Sequence, residues 1–197
     1  MLANEIKDET RRLLRDTEPD YLFSDPAIYL ALSWAQDNAA RRTEILSKEK
    51  TVAVKAGEST IKLPEYVLNP LAILEPGWLE PRPIVTRPSQ TGTWGQQRGL
   101  LFRYAPVPSD MDVTYTFIAL PRFEMSENNP IVDFPSQFHS SLAMGAAFRL
   151  MSTMDADAED PKRLQELGSL WASELIEMRR YAAQHNRTFA SVSYGGI

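Results

Sequence analysis

The stretch from Asp25 to Leu46 constrains this chain most, because its start, its buried face and its end can all be read from residue type. Ser24 and Asp25 offer an N-cap oxygen, and Pro26 takes the first helical position, where its missing N–H costs nothing. Ile28, Ala31, Leu32, Ala35, Ala39 and Leu46 recur at helical spacings, while Asp37, Asn38, Arg41 and Glu44 fall largely on other sides. That pattern predicts an amphipathic helix facing a core. Its inner face is mostly alanine, so a second helix can approach closely, and the segment Leu142 to Leu150 supplies one.

Around it the chain alternates between helical and extended patterns. Asn4 to Asp16 predicts a short first helix with a thin apolar stripe of Ile6, Leu13 and Leu14. After Ser47 to Lys50 the period changes. Thr51 to Lys55, a turn at Gly57, and Thr60 to Leu63 predict one β-hairpin, followed by a strand at Leu71 to Glu75. Leu100 to Tyr104 and Val113 to Ile118 predict a second hairpin about the turn at Pro106 to Asp110. Between them lies a proline-rich stretch in which Pro76 to Pro88 reads as an edge or extended connection, and Ser89 to Arg98 as an exposed loop. Helical logic resumes with Asp133 as the cap of a helix opening near Pro135, apolar on most of its circumference. Pro161 starts a last helix, striped by Leu164, Leu167, Trp171, Leu175, Met178 and Ala182.

The predicted class is therefore α+β: a helical bundle formed by both chain ends, with a small antiparallel β-sheet inserted and an extended C-terminal tail. The corresponding regions are residues 1–50 and 130–184 for the bundle, 51–129 for the β region with its proline-rich loops, and 185–197 for the tail.

Composition narrows the function. At 197 residues the chain suits one elaborated domain, and its 43% hydrophobic content is that of a soluble protein with no run long enough for a membrane span. The start carries Glu5, Lys7, Asp8 and Glu9 instead of a signal peptide, which predicts a cytoplasmic start. Without cysteine there is no disulfide, thiolate chemistry or thiolate metal site. The net charge of -5 is spread along the chain, and no dense basic patch suggests a grip on DNA phosphates.

Catalytic and ligand motifs come out poorly, and no cofactor is expected. His139 precedes Ser140 and Ser141, but neighbours on a helix point in different directions and do not make a triad. No G-x-S-x-G elbow, P-loop or G-x-G-x-x-G occurs. Asp155, Asp157, Glu159 and Glu166 mimic a calcium loop, yet Asp160 occupies the position that needs glycine. Acidic residues ahead of Pro161 instead suit a helix N-terminus, and Arg41-Arg42 and Arg179-Arg180 suit helix C-terminal parts. Trp78 and Trp94, without interleaved basic residues, predict protein contact, with Trp94, Gln96, Gln97 and Arg98 as the contact loop to a partner or another subunit. Phe189, Val192 and Tyr194 dot a tail that gains stability by lying on another surface.

Three blocks of this order are similar to the head-to-tail adaptor, or connector, proteins of tailed bacteriophages. They are the helix Ile28 to Thr43 ending Ala39-Ala40-Arg41-Arg42-Thr43, the strand block Val52 to Gly57 leading to Ile61 to Val67, and the late block Phe134 to His139 with Ala146 to Leu150 and the Trp171 helix. The resemblance covers most of the chain. It implies a non-enzymatic dodecameric ring in the virion neck, assembled in the host cytoplasm. The ring would dock on the portal protein, carry genomic DNA through its channel without specific binding, and offer a platform to tail or neck proteins. It further implies portal docking by the C-terminal segment, here Arg187, Phe189, Val192, Tyr194 and Ile197. The rival readings are another neck or tail-completion ring, a small hydrolase, or a nucleic-acid-binding factor.

Overall fold

The computed structural model describes residues 1–122, 124–127, 132–153 and 160–186. It is an α+β protein in which the described residues form four α-helices and two antiparallel sheets, where one sheet was expected. The chain forms two compact units, one of Met1–Ile45 with Pro121–Tyr181, the other built on Leu46–Leu120 with the segment after Tyr181. The tail expected over residues 185–197 lies, from residue 187 onward, outside the described residues.

In the first unit, α1 spans Ala3–Leu14 and opens on Glu5, whose carboxylate accepts the Leu2 N–H at 2.7 Å. It ends at Arg15, whose left-handed backbone lets the Asp16 N–H return to the Arg11 carbonyl at 3.0 Å. α2 spans Asp25–Thr43, with the Ser24 hydroxyl accepting the Ala27 N–H as its cap. It stops short of the expected Leu46 because Glu44 turns left-handed at φ 55° and its N–H closes onto the Ala40 carbonyl.

α3 spans His139–Met151 and is entered through a 3-10 turn at Ser136–Phe138. Pro135 and Phe138 hold the N-cap positions of that turn and of α3, so the cap position expected of Asp133 lies further along the chain. The faces of α2 and α3 that meet are rich in buried small residues: Ala31, Ala35 and Ala39 on one, Ala143, Ala146 and Ala147 on the other. α4 spans Pro161–His185 and is capped by Asp160, which accepts the Arg163 N–H at 3.1 Å. Its Trp171 lies flat enough against α3 that a Cβ at Gly145 would stand 3.0 Å from the ring, so only glycine fits there without a shift. Leu167 joins Ala147 and Met151 beside Leu13 and Leu14 of α1, and Phe138 meets Tyr181 edge-on at 5.4 Å.

The second unit departs from the two expected hairpins. β1 (Ser47–Val54), β2 (Thr60–Lys62), β3 (Val67–Leu74), β4 (Arg82–Pro83), β5 (Trp94–Gln97), β6 (Leu100–Arg103) and β7 (Met111–Ala119) make sheets of order β1-β7-β3-β4 and β2-β6-β5. β1 does not pair with β2, nor β6 with β7. Instead β1 pairs with β7 and β2 with β6, and the connections between them stay in step through Gly57 N–H to the Val107 carbonyl and Val107 N–H to the Glu58 carbonyl. The segments 47–63 and 99–118 thus run antiparallel as one long ribbon, bent where it passes from one sheet to the other. The bends at residues 55–59 and 104–110 have turn composition, which is why they read as hairpin tips.

The core of this unit centres on β7, where Val113, Tyr115 and Phe117 are buried and the two rings sit 5.4 Å apart. The Tyr115 hydroxyl is buried without a hydrogen-bond partner, and burial pushes its pKa above the ordinary phenol value. Replacing Tyr115 with phenylalanine removes an unsatisfied group and little packing. It should leave stability unchanged or raise it by about 1 kcal/mol, read as the denaturant midpoint.

Candidate functional site

The loop expected at Ser89 to Arg98 is a strand from Trp94 onward, paired along β6 in a hairpin whose turn is Arg98-Gly99. Both turn residues have positive φ, 48° and 76°, the geometry that matches strand twist in a two-residue hairpin. Trp94 is buried, and its indole N–H donates to Glu75 Oε1 at 2.6 Å. Arg103 donates Nε–H to the same oxygen at 2.7 Å and Nη2–H to Oε2 at 3.2 Å, and its Nη1 reaches the Ala105 and Pro106 carbonyls. Trp94 is therefore the anchor of the small sheet, and the exposed-loop expectation is corrected at that residue. A glycine is required next to it, since a Cβ at Gly95 would come within 2.6 Å of Pro88 and 2.9 Å of the Phe102 ring. Of the four predicted contact residues, Gln97 and Arg98 are exposed at the hairpin tip, and Gln96 is half-buried. The five predicted tail residues, Arg187, Phe189, Val192, Tyr194 and Ile197, lie outside the described residues.

An exposed element of which residue type singled out only Trp78 lies between Glu75 and Arg82. Pro76-Gly77 makes a turn closed by the Trp78 N–H on the Glu75 carbonyl at 3.1 Å, with Gly77 at φ 85°. The Arg82 guanidinium stacks over the Trp78 ring at 4.1 Å. Leu79 stands between them at 102% exposure. The available sequence signal was an apolar residue held between two prolines, Pro76 and Pro81.

In the helical unit the outer side of α2 is grooved. Leu30, 68% exposed, lines two clefts: one of about 330 Å³ with Pro26, Tyr29 and Met125, the other of about 640 Å³ with Trp34 and Arg149. The segment carrying Met125 is fixed by its N–H on the Ser33 hydroxyl at 2.8 Å. The acidic side chains of the smaller cleft are Asp25, Glu124 and Glu127, and none of its lining residues is basic. Hydrogen bonds from Lys7 and then Arg11 hold the Asp25 carboxyl below the ordinary carboxylate range. Arg11 is itself buried, bonded to Asp16 at 2.7 Å and to Asp25, and stacked over Tyr21 at 3.8 Å. Asp16 accepts the Leu22 and Phe23 N–H groups, which ties the turn between the first two helices to the ion pair.

The groups that resembled catalytic or metal chemistry are occupied structurally. His139 is buried. Its Nε2 meets the Phe134 carbonyl at 3.0 Å and its Nδ1 faces the Met1 amino group. Ser141 donates to Glu174, not to the imidazole. Arg41 pairs with Asp37 at 2.8 Å and Arg180 with Glu177. Asp155, Asp157 and Glu159 lie outside the described residues, while Glu166 pairs with Arg163. Among the described residues no three carboxylate or imidazole side chains converge as metal ligands, and no helix is long and apolar enough to cross a membrane.

What the described residues offer is a set of contact surfaces. A sequence model of the family described as SU10 adaptor protein matches residues 1–193. No curated protein matches the chain.

Proposed function

The chain belongs to the SU10 adaptor protein family, and on that premise we propose that it assembles as a ring of twelve copies on the portal protein. The family is one of phage head–tail adaptors, structural proteins of the virion neck that work through other head and tail proteins. In the proposed ring the channel continues the path of the genomic DNA, and the outer face gives the tail its platform. Arg187, Phe189, Val192, Tyr194 and Ile197 are the proposed portal-docking residues. Gln97 and Arg98, at the tip of the β5–β6 hairpin, are the proposed contacts to a tail component or an adjacent subunit.

The observation that carries this reading is the family match across residues 1–193. Two physical arguments support it. Each lysine or arginine exposed in a lumen adds a phosphate contact that slows DNA, and a chain of net charge -5 makes a mildly acidic sleeve. Ring assembly also needs large complementary areas, which the exposed leucines and clefts supply.

The test is native mass, measured alone and with portal particles added. A ring that attaches to portals, with no steep salt-dependent affinity for duplex DNA, is the expected result. A chain that ignores portals and grips duplex would overturn the proposal.

A further inference from the structure

A closed ring of identical copies needs two different surfaces on each copy, one receiving what the other presents. We propose that Leu79 of one copy seats in the cleft beside Leu30 of the next, with Arg82 facing the Glu124 and Glu127 carboxylates at its rim. This inference rests on the ring reading above and assigns the contact that would build it.

Four observations carry it. Leu79 is wholly exposed, so it occupies no site on its own chain. Its loop is already ordered by the turn at Gly77, by the buried Glu75 ahead of it and by the Arg82–Trp78 stack, so little conformational freedom is lost when the leucine is buried. The cleft, about 330 Å³, has room for an aliphatic side chain, and its apolar lining is Pro26, Tyr29, Leu30 and Met125. Charge enters as well: the cleft lining includes acidic and no basic side chains, and the loop brings the Arg82 cation, with the Glu80 carboxylate next to the leucine as its one acidic group. The knob and the cleft are different surfaces of one sequence, so the contact can repeat head-to-tail from copy to copy, and a native mass above that of two copies separates this from a two-fold pair that makes it reciprocally.

The natural chain has no cysteine, which makes the contact directly testable. Leu79→Cys and Leu30→Cys are prepared as separate full-length proteins. Both positions are exposed, so both variants should fold. Mixed and oxidised, they should give a covalent dimer joining position 79 to position 30, since a disulfide forms only where Cα atoms come within about 7 Å. Leu79→Ala should weaken self-association about ten- to hundredfold, from the lost burial of one leucine, with an unchanged melting temperature. Glu127→Arg should weaken it about tenfold, and Arg82→Glu in the same chain should restore most of that loss.

A ring that forms at wild-type strength with Leu79→Ala, or one that gives no 79–30 product, would overturn the inference and leave the ring reading standing. A disulfide between two copies of position 79 would indicate a two-fold contact and overturn it too. A chain monomeric at every concentration, with no cross-link, would sink both readings.

Discussion

Glu75→Ala is expected to lower the unfolding free energy by about 3–5 kcal/mol, the largest loss from a single polar substitution in this chain. Glu75 is buried and accepts three hydrogen bonds, from the Trp94 indole and from two nitrogens of a guanidinium that is itself 8% exposed. Truncation would leave Arg103 buried with its charge opposed only by the Ala105 and Pro106 carbonyls, and the indole N–H without an acceptor. Urea unfolding followed by tryptophan fluorescence would read the loss, because Trp94 reports on the affected site. The double variant Glu75→Met with Arg103→Met should be less destabilised than the sum of the singles, since the uncompensated charge leaves with its partner. A loss below about 1 kcal/mol for Glu75→Ala would mean that water reaches the pair.

Removing residues 187–197 is expected to abolish attachment to portal particles while shifting the melting temperature by less than a few degrees. Leu167, Trp171, Leu175 and Met178, which bury α4, all precede the cut, so the helical core keeps its contacts. What is lost is a segment whose Phe189, Val192 and Tyr194 are spaced too sparsely to make a core of their own. Co-sedimentation with portals, paired with a thermal melt of the truncated chain, separates docking from folding. Undiminished attachment would move the docking role to the exposed residues of the described chain.

Sequence reading worked best where local chemistry decides. The Ser24 cap and Pro161 at the start of α4 fall where residue type placed them, and Pro26 misses its expected place by one residue because Asp25 opens α2; caps and first turns are settled within a few residues. It failed where distant partners decide. Gly95-Gln96-Gln97 has little strand propensity, and it is extended because β6 pairs with it and Glu75 holds the indole of Trp94 beside it. The crossed pairing of β1 with β7 and β2 with β6 was hidden for a similar reason. Turn composition marks a bend, but whether the chain folds back or merely kinks depends on the segment lying alongside. Likewise residue type does not pair Arg11 with Asp16, and the backbone reversal at Arg15 brings them together, with Arg11 stacked over Tyr21. The candidate contact surfaces were half legible. The hairpin tip at Gln97 and Arg98 was named from composition, whereas Leu79 and the Leu30 cleft needed coordinates.

The helical unit is discontinuous in sequence, with Met1–Ile45 and Pro121–Tyr181 separated by a whole β unit. On the ribosome this imposes an order. At roughly 5–20 residues per second, α1 and α2 emerge several seconds before α3, so the alanine face of α2 has to wait, uncovered, for its partner. During that interval the intervening ribbon can complete its own pairing, because both of its arms lie within Leu46–Leu120. The chain is thus arranged to finish its β unit first and close its helices last. A released chain truncated after Leu120 should already protect the β7 amides from exchange while those of α2 remain open.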